Sequence, residues 1–185
     1  SKDLPALKKE PFLFCPEDYR TRVNFEFLGI DMPGQEFKSF TSTWEDVDSR
    51  LIKHESFGKL LELTNPYRED LRAVGGLSDC SMEEKVAKVF QVLKQKIVWD
   101  GSYKVYGEKP DKILKKGTGS NADINFILIA MLKDAGILAF PVVMSKRDRG
   151  ILPMIYPSLM KINTFVVGIK KEDGKYLFID GSMDK

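Results

Sequence analysis

The segment from Gly117 to Gly136 constrains the fold of this chain more than any other. It reads GTGSNADINFILIAMLKDAG, so glycines and small polar residues lead into about four turns of apolar helix. Apolar side chains cover nearly the whole circumference of this predicted helix, so other elements must pack on several sides of it. Gly136 stands where a glycine commonly ends a helix. We therefore expect a central, buried helix whose N-terminus presents backbone N–H groups and the positive end of its dipole.

Composition is typical of a folded protein with one sizeable core, or one core and a smaller lobe. The chain has 185 residues, of which 43% are hydrophobic, and its net charge of +2 gives no electrostatic reason to expect nucleic acid as a partner. No apolar run is long enough to span a membrane. Cys15 and Cys80 fit no metal-binding pattern, so we expect neither metal nor cofactor. Two free thiols are the simpler expectation, although a disulfide between them stays open.

The first 40 residues differ in character from the rest. Residues 1–19 carry three prolines among charged and aromatic residues, which is typical of an extended linker. Residues 22–30 alternate between apolar and polar side chains, and residues 36–40 are suited to return as a hairpin partner. We therefore assign residues 1–40 to a linker and β-hairpin, and residues 41–185 to the main domain.

Two serine-to-glutamate spacings predict helix starts. The sequence STWE at residues 42–45 fits a capping box before a first helix. The sequence SMEE at residues 81–84 opens the clearest amphipathic helix, which ends near Ile97. Residues 57–63 predict a second short helix between these two.

Three predicted strands follow the central helix. Residues 138–144 form a nearly continuous apolar run, as expected of a strand buried on both faces. Residues 162–169 and 176–179 form the other two strands, with an Asp-Gly turn between them. The loop at residues 145–161 separates the first strand from the second, and long ordered loops of this kind are frequently functional.

Four segments in the second half of the chain carry a family resemblance. They are IVWDGSY at 97–103, KKGTGSNADINFILIAMLKDAGILAFPVVMS at 115–145, NTFVV at 163–167 and KYLFID at 175–180. In this combination they resemble the transglutaminase-like superfamily, whose core is papain-like. The resemblance implies an α+β fold in which the central helix packs on an antiparallel sheet, with an added N-terminal β segment.

The N-terminal sequence LPALKKEPF at 4–12 adds to this resemblance. It is similar to the linker that follows a β-rich domain of unknown function in one bacterial branch of the superfamily. That branch implies an envelope-associated or periplasmic protein, in which residues 1–40 end the preceding β-rich domain. It also implies that the domain at 41–185 is shortened at its C-terminus.

An active member of the superfamily needs a cysteine at the N-terminus of the central helix, a histidine in the following sheet and a carboxylate on the next strand. The resemblance places Asn121 at the cysteine position, Thr164 at the histidine position and Asp180 at the carboxylate position. An asparagine amide is not a nucleophile, and a threonine hydroxyl is not a base near neutral pH. The resemblance therefore implies a catalytically inactive domain that acts as a binding or scaffold module.

Three interpretations of this degenerate site stay open. In the first, the polar side chains hold a ligand such as a peptide or protein, or else satisfy one another's hydrogen bonds. In the second, the domain is an acyltransferase or amide hydrolase that uses Ser120 as its nucleophile, although the single histidine, His54, lies far upstream. In the third, the apolar loop at 145–161 docks a partner or covers the site as part of the core. The ligand-binding candidates are Trp99, Asn121, Asn163, Thr164 and Asp180, and the apolar residues of the loop are Met154, Ile155, Tyr156, Leu159 and Met160.

Overall fold

The computed structural model describes residues 15–20, 29–30, 32–34, 36, 38–39, 43–75, 77–152, 157 and 159–183. The chain divides into two compact units. One consists of Ser1–Ser49 with Ser145–Ile162, and the other consists of Arg50–Met144 with Asn163–Lys185. The second unit contains the predicted central helix. The assignment of residues 1–40 to a linker and hairpin stays a prediction.

The first unit contains a short antiparallel hairpin. Its strands are β1 (Gly29–Ile30) and β2 (Lys38–Ser39), and Gly29 pairs with Ser39. The pairing agrees with the predicted hairpin, whereas residues 21–28 of the predicted strand lie outside the described residues. A 3₁₀ turn at Pro16–Tyr19 belongs to the same unit, in which Asp18 Oδ2 accepts a hydrogen bond from the backbone N–H of Ile151 at 2.9 Å.

Six α-helices lie in the part of the chain that the structure describes. They are α1 (Trp44–Lys53), α2 (Gly58–Leu61), α3 (Arg68–Ala73), α4 (Met82–Lys96), α5 (Pro110–Lys116) and α6 (Asn121–Asp134). The predicted capping box of α4 is confirmed, because Ser81 and Glu84 bond to each other's backbone N–H groups. The predicted box of α1 was wrong by one residue. Thr43 Oγ1 accepts from the Asp46 N–H at 3.2 Å, and Asp46 Oδ2 accepts from the Thr43 N–H at 2.9 Å, since threonine and aspartate can exchange the same two bonds.

Helix α6 is the buried centre of the second unit, as the sequence predicts. Every residue from Asn121 to Leu132 is buried, and the helix packs against α2, α4 and the sheet that follows it. Gly136 adopts a left-handed φ of +78°, and the backbone N–H of Ile137 donates to the carbonyl of Leu132 at 2.9 Å. This pair of features ends the helix in the way that a glycine beyond the last turn allows.

The main sheet has three antiparallel strands in the order β5 (Ala139–Met144), β6 (Thr164–Lys170) and β7 (Tyr176–Ile179). The inner face of β6 carries Phe165, whose ring packs against Phe57 and Phe126. The prediction that the first strand is buried on both faces was wrong. Only Ala139 of β5 is fully buried, because α6 covers one face of the sheet and the other carries exposed aromatic side chains of β7.

A short pair of parallel strands joins the two ends of the segment at residues 98–119. The sequence analysis did not predict this pair. Strand β3 (Val98–Trp99) pairs with β4 (Thr118–Gly119), directly before the helix begins. Together these elements confirm an α+β fold in which a central buried helix packs on an antiparallel sheet. None of the helices in the described ranges has the length and apolar character needed to cross a membrane. Cys15 and Cys80 are both free thiols.

The C-terminal end of α6 carries an ion pair, from which we expect the stability of the fold to depend on pH. Asp134 accepts hydrogen bonds from Arg68 Nη2 at 2.5 Å and from Asn65 Nδ2 at 3.0 Å. The bond from Arg68 holds the pKa of Asp134 below its ordinary value, although partial burial opposes this. A carboxylate with a lowered folded-state pKa stabilises the fold above its unfolded pKa, and this contribution is lost as pH falls through the folded pKa.

We therefore expect the substitution Arg68→Gln to reduce the free energy of unfolding at neutral pH, and we expect this effect to shrink as pH falls from about 4 through the lowered folded pKa of Asp134. Urea unfolding over a pH series measures the difference between the two proteins. Lys59→Gln is the matched control, because Lys59 pairs with Glu55 on an exposed surface, where such pairs contribute little. An Arg68→Gln effect of equal size at neutral and acid pH would contradict the assignment.

Candidate functional site

The three residues aligned with a catalytic triad come from three neighbouring elements of the second unit. Asn121 is the first residue of α6, Thr164 is the first residue of β6, and Asp180 directly follows β7. Asn121 is fully buried, Thr164 is 2% exposed and Asp180 is partly exposed. Two of the three positions are therefore closed to solvent.

Asn121 and Thr164 are in direct contact. Asn121 Nδ2 donates to Thr164 Oγ1 at 2.5 Å and to the carbonyl of Phe165 at 3.3 Å. On its other side, Asn121 Oδ1 accepts from the backbone N–H of Lys104 at 2.7 Å. The amide therefore joins the helix to β6 and to the segment before α5, and both ends of the amide are engaged.

Asp180 is connected to this pair through Asn125, a residue that the sequence analysis missed. Asn125 Nδ2 donates to Asp180 Oδ1 at 3.2 Å and to the carbonyl of Phe165 at 2.9 Å. Its Oδ1 accepts from the backbone N–H of Gly181 at 2.7 Å. Asn125 lies four residues after Asn121 and therefore on the same face of α6. A second asparagine at that spacing in an otherwise apolar helix was the sequence signal that could have identified it.

The carboxylate of Asp180 also closes the turn at the end of β7. Asp180 Oδ1 accepts from the backbone N–H of Ser182 at 2.9 Å and from its hydroxyl at 2.8 Å. We call Asn121, Asn125, Thr164 and Asp180 the polar cluster. Its two asparagine amides share the carbonyl of Phe165, so the cluster is one connected network rather than two separate pairs.

The buried side chains of the polar cluster are hydrogen-bonded to one another and to neighbouring backbone groups. Across the described residues, every buried side-chain nitrogen or oxygen has a hydrogen-bond partner. Within the same residues, no three His, Cys, Asp or Glu side chains are grouped as metal ligands would be. The arrangement holds the helix, the sheet and the loop together through hydrogen bonds.

Trp99 and Asn163 lie at the rim of the polar cluster and are partly exposed. Trp99 Nε1 donates to the carbonyl of Ser102 at 2.9 Å, and the same carbonyl accepts the backbone N–H of Asn121 at 3.1 Å. The backbone N–H of Asn163 donates to the carbonyl of Met144 at 3.2 Å. Trp99 is thus linked through the Ser102 carbonyl to the N-terminus of α6, and Asn163 directly precedes Thr164 in the chain.

The turn at residues 100–102, which follows β3, is fixed by a further carboxylate. Burial alone would raise the pKa of Asp100, but the hydrogen bonds from the Ser102 hydroxyl and backbone N–H hold that pKa below its ordinary value. These two bonds measure 2.6 Å and 2.9 Å at Asp100 Oδ1. A charged Asp100 therefore orients Ser102, whose carbonyl accepts hydrogen bonds from Trp99 and Asn121.

Ser120 caps α6. Its hydroxyl donates to Asp123 Oδ2 at 2.6 Å and accepts from the Asp123 N–H at 3.3 Å, and the residue is completely buried. His54 bonds elsewhere, because its Nδ1 accepts from the backbone N–H of Ser56 at 3.1 Å and its ring packs against Tyr106. Ser120 therefore caps the helix through its bonds with Asp123. None of the hydrogen bonds of Ser120 or His54 joins these two residues.

Comparison with known proteins shows the fold. No family model matches the sequence, and no curated protein matches it either. A candidate protease from Parabacteroides distasonis is similar in structure, with a TM-score of 0.52 and 19% identity over 85% of this chain and 31% of that one. The periplasmic domain of TgpA from Pseudomonas aeruginosa gives a TM-score of 0.43 and 18% identity over 73% and 48% of the two chains.

The chain thus spans about a third of the first structure and about half of the second. At 19% identity the first similarity shows a shared fold and does not extend to activity or substrate. The second TM-score is too low to add to that conclusion. The similarity to the first structure agrees with the α+β fold class that the sequence analysis predicts.

Proposed function

We propose that this domain is a catalytically inactive member of the transglutaminase-like fold and serves as a scaffold module of a longer protein. The observation that supports this most strongly is the bond between Asn121 and Thr164, both buried, at the positions aligned with the nucleophile and the base. A side chain that is bonded at both ends inside the core is not available for acyl transfer.

The chemistry of the aligned residues supports the same conclusion. Acyl transfer needs a nucleophile that a neighbouring base can deprotonate, and an asparagine–threonine pair offers neither member. Removing the nucleophile of such a unit alone eliminates most of its rate enhancement. Asp180 is a carboxylate, as in an active member of the superfamily. It accepts hydrogen bonds from Asn125 and Ser182, and neither of these residues is a base.

The polar cluster supplies stability in place of catalysis. A typical internal hydrogen bond contributes about 1 kcal/mol, whereas an unsatisfied buried partner costs about 1–3 kcal/mol. Asn121 and Asn125 together bind α6 to β6, to the segment at Lys104 and to the turn at Gly181. In an active relative this end of the helix would hold a reactive thiol. In this protein it stabilises the packing of α6 against the neighbouring elements.

A peptide or protein partner would have to bind outside the buried part of the cluster. Trp99 and Asn163, which are partly exposed, remain ligand-binding candidates at the rim. The loop at 145–161 remains a candidate docking segment. Of its predicted apolar residues, Leu159 is half-buried and Met160 is 85% exposed, while Met154, Ile155 and Tyr156 lie outside the described residues.

The preceding β-rich domain remains the proposed partner within the same chain. This part of the proposal, and the location in the periplasm or cell envelope, rest on the sequence similarity of residues 4–12 to the linker of the bacterial branch. The alternative function, an acyltransferase or amide hydrolase with Ser120 as nucleophile, requires the Ser120 hydroxyl to leave its bonds with Asp123.

We expect Asn121→Ala to lower the free energy of unfolding by about 2–4 kcal/mol, because it removes three side-chain hydrogen bonds and leaves buried partners unsatisfied. Thr164→Val should cost about 1–2 kcal/mol. Because the two side chains bond to each other, the double variant should lose about 1 kcal/mol less than the two single losses combined. Urea unfolding of the four proteins measures this coupling. The control Gln95→Ala, at an exposed position, should change stability by less than about 0.5 kcal/mol. Strictly additive losses in the double variant would contradict the direct bond between Asn121 and Thr164.

Introducing cysteine and histidine at positions 121 and 164 tests the alignment of these positions with the catalytic pair. The protein used for this test carries Cys15→Ala and Cys80→Ser, so that the new cysteine is its only thiol. In the combination Asn121→Cys with Thr164→His, the imidazolium and the helix N-terminus should lower the thiol pKa by about one unit or more from 8.5. The ultraviolet absorbance of the thiolate reports this pKa and requires no reagent to enter the buried site. The same thiol in Asn121→Cys alone is the control, and equal pKa values in the two proteins would refute the alignment.

Ser120→Ala distinguishes a helix cap from a nucleophile. We expect a loss of stability of about 1 kcal/mol, similar to that of the matched cap variant Thr43→Ala at α1. Labelling by a fluorophosphonate probe should stay at background in both variants and in the unchanged protein. Labelling of the folded protein that disappears only in Ser120→Ala would support the hydrolase instead.

A further inference from the structure

Strand β7 forms one edge of the main sheet. The strand order is β5-β6-β7, and β6 is the only strand that pairs with β7 in the part of the chain that the structure describes. An edge strand presents unpaired backbone N–H and C=O groups, to which another strand can bind. Many proteins protect such an edge with a proline or a charged residue. The four residues of β7, YLFI, include neither.

The hairpin before β7 determines which of its backbone groups point to the open edge. The N–H of Lys171 donates to the carbonyl of Lys175 at 2.8 Å, so the Lys175 carbonyl points toward β6. Backbone groups alternate in direction along an antiparallel strand, so those of Leu177 also point toward β6. Those of Tyr176 and Phe178 point away from β6. These two residues therefore offer one donor and one acceptor each to a further strand.

The opposite edge of the sheet is protected by a proline. Val167 of β6 lies opposite Ile179, and by the same alternation its backbone groups point toward β7. It also lies opposite Pro141 of β5, so the nitrogen of Pro141 points away from β6 and toward the outer edge. Proline has no N–H, and this edge therefore lacks a donor at its middle. Of the two edges, β7 is better suited to bind another strand.

The open backbone groups of β7 match those of a second copy in one antiparallel register. If Tyr176 of each copy lies opposite Phe178 of the other, the two residues exchange both of their bonds, which gives four hydrogen bonds in the dimer. The next register in either direction uses Gly174 or Asp180 instead. Turns already engage the N–H of Gly174, at 3.0 Å, and the carbonyl of Asp180, at 3.2 Å. The register centred on Leu177 therefore uses the groups that are open.

The side chains of β7 favour the same register. Tyr176 is 53% exposed and Phe178 is 57% exposed, and their rings stack with centroids 6.4 Å apart. Both lie on the face of the sheet that α6 does not cover. In this register each tyrosine ring lies opposite a phenylalanine ring of the other copy, and such cross-strand aromatic pairs stabilise antiparallel sheets.

The charges at the two ends of β7 favour an antiparallel partner. Lys175 directly precedes the strand and Asp180 directly follows it. An antiparallel copy brings each Lys175 near Asp180 of the other copy, whereas a parallel copy would bring like charges together. Lys175 also pairs with Asp173 at 3.1 Å, and both side chains are exposed. The attraction between copies therefore favours one direction of pairing and adds little to the affinity.

We propose that two copies of this chain associate through their β7 edges, with Tyr176 of each opposite Phe178 of the other, to form a continuous six-stranded sheet. Two four-residue edges bury roughly 1,000 Å² in total or less, which is the size of weak and transient interfaces. We therefore expect a reversible dimer with a Kd on the order of 100 µM. This association does not depend on whether the domain is catalytically inactive.

Sedimentation equilibrium of the chain between about 10 µM and 1 mM tests the association. The average mass should rise from 21.1 kDa toward twice that value. Over the same concentrations, hydrogen exchange of the Tyr176 and Phe178 backbone amides should slow, whereas that of Leu177 should not change, because its N–H already bonds within the sheet. A mass that stays at 21.1 kDa up to about 1 mM would overturn the proposal and would assign the edge to a strand of a different protein.

An exchange of charges tests the register. Phe178→Lys should weaken the dimer about tenfold or more, because an ammonium group replaces the ring that lies opposite Tyr176 of the other copy. The combination of Tyr176→Glu with Phe178→Lys should restore most of the affinity, since each glutamate then lies opposite a lysine of the other copy. Leu138→Lys, at a 66% exposed position directly before β5, is the matched control and should leave the Kd unchanged. An unchanged Kd in Phe178→Lys, or a double variant that binds no more tightly than Phe178→Lys, would overturn the proposal.

Discussion

The buried hydrogen bond between Asn121 and Thr164 is the contact on which the arrangement of the second unit depends. It joins the first residue of the central helix to the first residue of the central strand, and both residues are shielded from water. In a buried environment a hydrogen bond is strong and its loss is costly, so the register between helix and sheet is fixed at this point. Asn125 repeats the connection one turn later and extends it to the end of β7.

In the function that we propose, the same contact takes the place of the acyl-transfer site of an active relative. The N-terminus of a buried helix favours a thiolate, and an adjacent strand can hold a base against it. In the proposed alignment, the Asn121 amide and the Thr164 hydroxyl occupy those two places, and the hydrogen bond between them fills the space between helix and strand. A network of this kind stabilises the fold only when every member is satisfied, as it is among the described residues.

Local patterns in the sequence predicted the elements well and their contacts less well. The capping box at Ser81, the buried body of α6 and the glycine at 136 each follow from residues within one or two turns of one another. Asn125 was missed because its partners lie 40 or more residues away, on β6 and in the turn after β7. The parallel pair β3 with β4 was missed because its paired residues lie 20 positions apart in the chain. The exposed face of β5 depends on what packs against the sheet.

Hydrogen exchange of the Asn121 side-chain amide tests the central claim most directly. If that amide is enclosed between Thr164 and Phe165, its protons should exchange with solvent as slowly as the most protected backbone N–H groups of α6, because both open only when the core opens. The exposed side-chain amide of Gln95 provides the fast reference in the same spectra. Exchange of the Asn121 amide as fast as that of Gln95 would show that the site is open to solvent and would contradict the account.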